Sequence, residues 1–483
     1  MAFLTGGANS AADTGFDVAN SYRSNSGDSP KLSKTFSSAS NSNTTFTVSA
    51  WVKRSKLGAN QDVVSAFRSS DGLQTDLIRF GSGDDLEFWA HTTNSSGNAD
   101  IQTNRLFRDV GAWYHIVVRV DTTQGTDTNR VRIYVNGVQE TSFSTSNYMS
   151  QNGTIIWGLG SGVEHTIGAV GTSNYFGGYV AEVVYLDSQS VAPTTFGEFD
   201  EDSPTIWKPI DVSGLTFGNN SFYLDFQNSG ELGTDVSGNS HTFTENNIAA
   251  TDQSTDTCTN NFATINSLDK NLTTFSEGNL KLNWSVAALT FGLTTGTIGM
   301  TAGKWYWEAK ITSADNSTGV GLGVIQTEPY LSRETATGVD PSLFYGLGAR
   351  FTTVKSVTKT SNNVDTSISD TWSNDDIIRI AYDGDSGNIY MWMGTDELNG
   401  QTFSTPTSFN DATLTAETLV LPFVSLGDGG SGTKTSQVEF NFGGTQSFSI
   451  SSGNTDGNGY GNFEYSVPSG YYALCTKNLA EFG

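Results

Sequence analysis

Carboxylate residues are the first candidates for chemistry, because a pair of carboxyl groups about 5 to 9.5 Å apart can cleave a glycosidic bond. The densest acidic run is Glu198-Phe-Asp-Glu-Asp, which leads into Ser203-Pro204. A proline directly after this polar run favours a solvated connector over a strand. Glu182 and Asp187 lie five residues apart at the end of one predicted strand, so they fall on opposite faces. We therefore predict no enzymatic activity.

Metal-binding and redox motifs are the next candidates. None of the four histidines has the i, i+4 spacing of a helical zinc site. Asp383-Gly-Asp-Ser-Gly-Asn offers the oxygen ligands that calcium prefers, but it lacks the bidentate glutamate of an EF-hand loop, and we interpret it as a hairpin turn. Cys258 and Cys475 could form a disulfide if their Cα atoms came within about 7 Å, or they could remain free thiols. We predict no cofactor, with calcium left open.

The charge balance limits the partners. The chain has 483 residues, with 25 Lys and Arg against 50 Asp and Glu, for a net charge of -25. This charge opposes binding to nucleic acid and to anionic lipid. No stretch approaches 18 consecutive apolar residues, and the apolar start at Met1 is too short for a secretory signal. The sequence therefore predicts neither membrane insertion nor secretion by a signal peptide.

The elements that must position any site are predicted to be strands. Glycine is frequent, with 53 residues, aromatic residues reach 12%, and charged residues are only 16%. Apolar and polar residues alternate along 45–52, 113–120 and 131–138, and the turn Asn136-Gly137 is typical of a hairpin. We predict an all-β chain with two tandem antiparallel β-sandwich (jelly-roll) domains.

Changes in composition divide the chain into four predicted segments. Residues 1–32 are small and polar, and we interpret them as an N-terminal arm and first strand region. Residues 33–200 form the first jelly roll, and residues 266–483 form the second sandwich. Between them, 201–265 is rich in turns but carries Phe222-Tyr-Leu-Asp-Phe, which is too apolar for a free linker. We predict an ordered connector there.

Four ordered motifs between about Gly15 and Phe199 resemble the laminin-G-like branch of the concanavalin A-like lectin and glucanase superfamily. They are Phe46-Thr-Val-Ser-Ala-Trp-Val, Ala112-Trp-Tyr-His-Ile-Val-Val-Arg-Val-Asp, Asn129-Arg-Val-Arg-Ile-Tyr-Val-Asn-Gly-Val and Phe176-Gly-Gly-Tyr-Val-Ala-Glu-Val-Val-Tyr-Leu-Asp. In that family these motifs are strands of a jelly-roll sandwich. Glucanase relatives carry Glu-x-Asp-x-x-Glu on one strand, and the acidic run at Glu198 lacks the final glutamate.

The second half, from about Leu280 to Leu474, resembles a SPRY domain. The matching segments follow the family's order: Gly303-Lys-Trp-Tyr-Trp-Glu, Val320-Gly-Leu-Gly-Val, the hairpin from Asp376 to Trp392, Leu421-Pro-Phe-Val-Ser-Leu and Val438-Glu-Phe-Asn-Phe-Gly. SPRY domains recognise partners through loops at one end of the sandwich. The resemblance therefore implies a partner-binding surface in the variable stretches of this half.

The combination of both domains with Tyr223-Leu-Asp-Phe and Gly470-Tyr-Tyr-Ala-Leu-Cys resembles virion and tail-fibre-like proteins of bacteriophages. The resemblance implies a non-enzymatic virion component, either a tail fibre or a capsid-attached fibre, that recognises a host-surface glycan or receptor. A purely structural virion protein is the alternative, and a glycan depolymerase is a lower one. The arm is the predicted contact with other virion proteins, and a homo-oligomer at the particle surface is expected.

These resemblances suggest site residues. Lectin-type binding needs aromatic faces for stacking and polar groups for sugar hydroxyls. In the first domain the aromatic candidates outside the core motifs, for which packing is the alternative role, are Trp89, Tyr148, Trp157 and Tyr175. In and beside the SPRY loops the candidates are Tyr330, Arg333, Arg350 and Trp372. Laminin-G-like domains often bind calcium at one rim, which makes metal candidates of Asp62, Asp121 and Asp127.

Overall fold

The chain forms two compact units in a computed structural model. The first unit spans Asp13–Thr259, and Asn260–Gly483 belong to the second. The structure describes residues 15–68, 74–91, 98–159, 161–268, 273–287, 291–314, 320–326, 346–351, 356–361, 364–394, 396–397, 409–410, 419–427 and 433–483.

The first unit contains eighteen strands within its described residues. They are β1 (Ser21–Ser24), β2 (Lys31–Thr35), β3 (Thr45–Arg54), β4 (Gln61–Arg68), β5 (Gln74–Phe80), β6 (Asp85–Ala90), β7 (Ala99–Leu106), β8 (Trp113–Asp121), β9 (Val131–Val135), β10 (Val138–Gln139), β11 (Phe143–Asn147), β12 (Glu164–Ile167), β13 (Gly178–Asp187), β14 (Gly197–Phe199), β15 (Trp207–Pro209), β16 (Phe222–Leu224), β17 (Thr244–Asn246) and β18 (Gln253–Ser254).

These strands build two large antiparallel sheets and the small pair β14–β15. The first sheet has the order β10-β9-β8-β3-β13-β1-β18, with β16 also pairing with β13. The second sheet has the order β11-β7-β6-β5-β4-β12-β2-β17. Asn136 and Gly137, with φ of 49° and 76°, make the tight turn between β9 and β10. This agrees with the hairpin signal read from the sequence.

The core of the first unit lies between its two sheets. Inward residues of both sheets form one buried cluster, because alternate residues of a strand point to the same side. Trp157 lies within this cluster, with its ring centroid 5.0 Å from that of Phe46. The opposite faces of both sheets are thereby left for other contacts.

The segment predicted as an ordered connector supplies strands to the first unit as far as Ser254. Strand β16 pairs with β13, β17 pairs with β2, and β18 pairs with β1. Phe222, Leu224 and Phe226 are buried in the core cluster of this unit. The apolar residues that argued against a free linker are therefore core residues of the first sandwich.

The second unit contains fifteen described strands and one helix. They are β19 (Thr273–Ser276), β20 (Lys281–Ala287), β21 (Phe291–Thr295), β22 (Lys304–Ala314), β23 (Val320–Gln326), β24 (Gly346–Phe351), β25 (Ser356–Ser361), β26 (Val364–Thr371), β27 (Asp376–Asp383), β28 (Asn388–Met393), β29 (Asp396–Glu397), β30 (Phe409–Asn410), β31 (Val420–Gly427), β32 (Thr433–Asn441), β33 (Tyr472–Ala473) and α1 (Thr476–Phe482).

One sheet of the second unit has the order β19-β20-β32-β22-β27-β28-β29, joined by β30 and by β33, which pairs in parallel with β22. The other has the order β21-β31-β23-β24-β25-β26. Trp284, Trp305 and Trp307 are buried in the core. The prediction of an all-β chain with two tandem β-sandwiches is confirmed. In the part of the chain that the structure describes, no helix is long and apolar enough to cross a membrane.

Candidate functional site

The outer face of the second sheet of the first unit collects polar and aromatic side chains in two rows. Along β6 the residues Leu86, Phe88 and Ala90 are buried in the core, while Glu87 and Trp89 alternate with them and are half-buried. Residues that pair directly across antiparallel strands share a face. The strand register therefore fixes which residues accompany Glu87 and Trp89.

The first row contains Trp89 and crosses five neighbouring strands, with each member directly opposite the next. Its members are Ser65, Leu77, Trp89, Asp100 and Asn147. The second row lies two residues away along most of these strands and contains Asp62, Arg79, Glu87, Gln102 and Thr145. Neighbouring strands are about 4.8 Å apart. We call the surface formed by Trp89, Asp100, Asn147, Arg79, Glu87 and Gln102 the Trp89 face.

Trp89 provides the aromatic surface of this face. Its side chain is half-buried, and the ring centroid of His91 lies 4.4 Å away in an edge-on arrangement. The His91 Nδ1 atom is 2.6 Å from the Thr75 carbonyl oxygen, which holds the imidazole against β5. Leu77, the cross-strand neighbour on the other side, is buried. Trp89 is thus supported at its base while part of its surface stays accessible.

Polar groups next to Trp89 are held in place by one another. Arg79 Nε donates to Glu87 Oε2 at 2.6 Å, so the single cation of the two rows is already paired. Gln102 Nε2 donates to Asp100 Oδ1 at 3.0 Å. Among the described residues, the Gln102 amide is the side chain seen to donate to the Asp100 carboxylate, which has two oxygens that can accept. Fixed carboxylate and amide groups beside an aromatic ring match the chemistry of sugar hydroxyls.

Asp62 lies at the edge of the same face but is fully buried. A bridge joins Asp62 to Tyr175, and the Asp62 backbone N–H donates to the Asn174 carbonyl oxygen at 2.9 Å. Burial raises the pKa of the Asp62 carboxyl to about 7, although Asn174 and Arg79 act in the opposite direction. The fold thus brings together two of the predicted residues, Asp62 and Tyr175, while Trp89 lies two strands away on β6.

The remaining aromatic candidates of the first unit differ in accessibility. Tyr148 is half-buried, and its side chain packs against the core cluster of the first unit. Trp157 is only 1% exposed, and its backbone N–H donates to Asp76. Its ring is stacked at 6.3 Å on Phe88, which faces the core. Trp157 and Trp89 therefore lie on opposite sides of the second sheet.

The SPRY-half candidates are spread over several places. Tyr330 and Arg333 lie outside the described residues. Arg350 is on β24, where its backbone pairs with Gly321. Trp372 follows β26, is 1% exposed, and its ring meets Phe351 edge-on at 6.2 Å. Trp372 is therefore part of the core of this unit.

Two of the calcium candidates are occupied in local turns. Asp121 accepts hydrogen bonds from Thr123 and Gln124, which lower the pKa of its carboxyl although partial burial acts to raise it. Asp127 accepts from the backbone N–H of Thr128. Among the described residues, no group of three or more His, Cys, Asp or Glu side chains could hold a metal ion. Cys258 and Cys475 are free thiols.

A serine and a histidine also meet on the outer face of the first sheet. Ser49 Oγ is 2.8 Å from His115 Nε2, and Trp207 Nε1 lies 2.9 Å from His115 Nδ1. An indole N–H can only donate, so Nδ1 is the acceptor and Nε2 carries the proton that reaches Ser49. Burial lowers the pKa of His115 to about 3. In this arrangement His115 cannot take a proton from Ser49, and the pair does not form an activated nucleophile.

Glu182 lines a small cavity beside this pair. The Tyr223 hydroxyl donates to the Glu182 carboxylate at 2.5 Å, and burial raises the pKa of Glu182 to about 7. No second carboxyl group lines the described cavity. A pair of carboxyl groups for glycoside hydrolysis is therefore missing from this part of the structure.

Sequence reasoning found Trp89 but missed its polar neighbours Arg79, Glu87, Asp100 and Gln102. The signal was present in the alternation of β6 and β7, whose outward positions carry Glu87, Trp89, Asp100 and Gln102. Their meeting depends on the β6–β7 register, which places Trp89 opposite Asp100. The register of two strands is set by contacts between them, so it could not be predicted from the local pattern of this sequence.

Comparisons with known families agree with this architecture. Residues 27–189 match the model of the concanavalin A-like lectin/glucanases superfamily, and residues 304–462 match that of the SPRY domain. The chain therefore carries a concanavalin A-like, laminin-G-type domain followed by a SPRY domain, as its motifs predicted. Domains of these kinds are compatible with binding carbohydrate or protein. No curated protein matches the chain.

Solved structures resemble single parts of the chain. The SPRY domain of human HERC1 is 16% identical over 36% of this chain and 96% of that chain, with a TM-score of 0.26. The native heptameric SAP-like pentraxin from Limulus polyphemus is 18% identical over 37% of this chain and 80% of that chain, with a TM-score of 0.28. A third similar structure is domain 4 of AbnA, a GH43 extracellular arabinanase from Geobacillus stearothermophilus, in complex with arabinotriose. It is 21% identical over 32% of this chain and 65% of that chain, with a TM-score of 0.25.

Proposed function

We propose that the chain is a non-enzymatic bacteriophage virion component, a tail fibre or capsid-attached fibre, that recognises a host-surface glycan or receptor. The observation that carries the recognition part is the Trp89 face, where a half-exposed indole lies beside fixed carboxylate and amide groups. Aromatic stacking combined with directed hydrogen bonds is how proteins hold sugar rings. The virion part rests on the sequence resemblance to phage fibre-like proteins.

The same proposal covers partners and location. The chain would sit at the surface of the particle or its tail, as a homo-oligomer that contacts other virion proteins through its N-terminal arm. Of that arm, residues 1–14 lie outside the described residues, whereas β1 belongs to the first sheet. We therefore assign the attachment role to the part of the arm that precedes β1.

A purely structural virion protein is the second candidate, and one observation favours it. Trp157 and Trp372, two of the eight predicted ligand contacts, are core residues. A glycan depolymerase would need two carboxyls facing one bond. Of the carboxyls on and beside the Trp89 face, Glu87 is bound by Arg79 and Asp62 is fully buried. Asp100 is then the one carboxylate of the two rows that is neither buried nor bound by Arg79, which supports the non-enzymatic proposal.

The test is binding of the purified full-length chain to host cells and to a glycan array, with and without a calcium chelator. We expect saturable binding that Trp89→Ala weakens about tenfold or more, because an aromatic anchor dominates small contact surfaces. Phe199→Ala is the control, since Phe199 is a 41% exposed aromatic residue that lies in the small β14–β15 pair instead of the Trp89 face.

Binding that is equal in the Trp89→Ala variant would refute the Trp89 face as the site. Absence of binding to cells and glycans by the folded chain would favour the structural candidate instead. Peptide mass spectrometry of purified particles tests the virion part, which fails if the chain is absent from particles that infect the host.

A further inference from the structure

The Trp89 face also carries information on the class of glycan, an inference that rests on the proposed function. The charged side chains of this face determine whether it favours neutral or acidic sugars. Arg79, the one cation in the two rows, is bonded to Glu87 through its Nε atom at 2.6 Å. Both side chains are mostly buried, with exposures of 23% and 12%. A second anion would have to compete with Glu87 for a cation that is already paired.

Asp100 is the second determinant. It lies directly across from Trp89 and accepts one hydrogen bond from the Gln102 amide. A partly exposed carboxylate is a strong acceptor for hydroxyl groups, because a charged acceptor strengthens the hydrogen bond. The same carboxylate repels any anionic group brought next to it. Asn147, on the far side of Asp100, adds a neutral donor and acceptor.

We propose that the Trp89 face binds a neutral sugar ring, stacked on Trp89 with its hydroxyl groups donating to Asp100, and that it excludes acidic sugars such as uronates. The net charge of -25 acts in the same direction at longer range, since an acidic chain repels polyanionic glycans before contact. Asp100 is thereby the specificity-determining residue of the site, and Gln102 orients it.

The sharpest test compares neutral sugars with acidic sugars that differ from them only at carbon 6. The full-length chain is titrated with three matched pairs of oligosaccharides with the same linkage: glucose and glucuronate, mannose and mannuronate, galactose and galacturonate. Within each pair the rings differ by a carboxylate at carbon 6. We expect binding to at least one neutral member, and binding to its acidic counterpart about tenfold weaker or undetectable in 0.15 M salt.

Variants then identify the residue responsible. Asp100→Asn keeps the shape but removes the charge, and we expect it to weaken neutral-sugar binding about fivefold to tenfold and to narrow the gap between neutral and acidic members. Glu164→Gln is the matched control, because Glu164 is a partly exposed carboxylate on β12 of the same sheet, paired with Lys31 instead of lying beside Trp89. It should change neither affinity nor selectivity.

The outcomes separate this inference from the proposed function. Preferential binding of acidic members, or neutral binding unchanged in Asp100→Asn, overturns the assignment of ligand class while glycan recognition stands. Loss of neutral binding in Glu164→Gln equal to that in Asp100→Asn overturns the role of Asp100. If the folded chain binds neither the array nor any of the six oligosaccharides, glycan recognition itself fails, and this inference fails with it.

Discussion

At the residue scale, the most informative interaction is a buried ion pair in the first unit. Lys53 Nζ lies 2.7 Å from Asp256 Oδ2, and both side chains are 1% exposed. Trp113 Nε1 donates to the other carboxylate oxygen at 3.0 Å. Burying two charges is costly, so each depends on the other for compensation. Asp256 thereby connects β3 and β8 to the end of the polypeptide segment that completes the unit.

Replacing Asp256 should destabilise the first unit strongly. In Asp256→Asn the buried Lys53 ammonium loses the negative charge of Asp256, and we expect a loss of about 3 to 5 kcal/mol in the free energy of unfolding. Urea denaturation of the full chain, followed by hydrogen exchange of β3 amides, measures it. The control is Glu140→Gln, which breaks the ion pair with Arg105, a side chain 45% exposed, and should cost about 1 kcal/mol or less. Equal losses in the two variants would contradict the argument.

At the element scale, the first unit depends on three short strands, β16, β17 and β18, that come from residues 201–259. Without residues 201–259, β13, β2 and β1 lose their partners β16, β17 and β18. The core also loses Phe222, Leu224, Phe226 and Phe243. A fragment of residues 13–259 should therefore unfold cooperatively, whereas 13–200 should aggregate or bind a hydrophobic dye. A 13–200 fragment with the same urea midpoint would show that these strands are dispensable.

The same strands mark the limit of prediction from sequence. The strands β3, β8, β9 and β13 were predictable because their residues alternate and polar turns separate them. Strands of three residues, such as β16, are too short to show a period. Their partners lie far away in the chain, as Tyr223 and Val184 do, so local patterns cannot reveal the pairing. For the same reason Trp89 could be proposed as a site residue, but Asp100 could not.

Trp157 shows a second limit of prediction from sequence, which concerns whether a residue in a turn is buried. Trp157 is predicted as a ligand contact because it lies outside the core motifs of the first domain, and the residue lies in a 3-10 turn, Trp157–Leu159. The turn is anchored inward, however, because Asp76 accepts from the Trp157 backbone N–H and the Tyr185 hydroxyl donates to its carbonyl oxygen. Buried polar partners of this kind come from distant strands, and sequence alone does not indicate them.

At the scale of the whole molecule, buried carboxyl groups couple stability to pH. Burial raises the pKa of Asp62, Asp76 and Glu182 to about 7 each, and raises that of Glu308 in the second unit as well. In the unfolded chain such groups titrate near pH 4. Between about pH 4 and pH 7 the folded chain therefore binds more protons than the unfolded chain does, and a rise in pH favours unfolding.

We accordingly expect the free energy of unfolding to fall as pH rises from about 4 to 7 and to level off above that range. Urea titrations at constant ionic strength measure this slope. The double variant Asp62→Asn with Glu182→Gln should flatten it, because two of the groups no longer ionise.

The imidazoles of His115 and His165, whose pKa burial lowers to about 3, oppose this trend below about pH 6.5, because the unfolded chain protonates them and the folded chain does not. The four carboxyls with raised pKa outnumber them, so the slope keeps its sign but is shallower. The carboxyls of Asp84 and Asp121, whose pKa values are lowered, act below this window. Stability that increases from pH 4.5 to 7 would contradict the assignment.

The first unit begins and ends side by side. Ser21 in β1 pairs with Ser254 in β18, and the Val18 backbone N–H donates to the Thr259 hydroxyl at 3.1 Å. A domain whose two ends are close together can be inserted into a surface loop of another protein without distorting that loop. It can also be circularly permuted, by joining its original ends and opening the chain at another loop. This sandwich domain could therefore be inserted into different proteins during evolution while the Trp89 face stays unchanged.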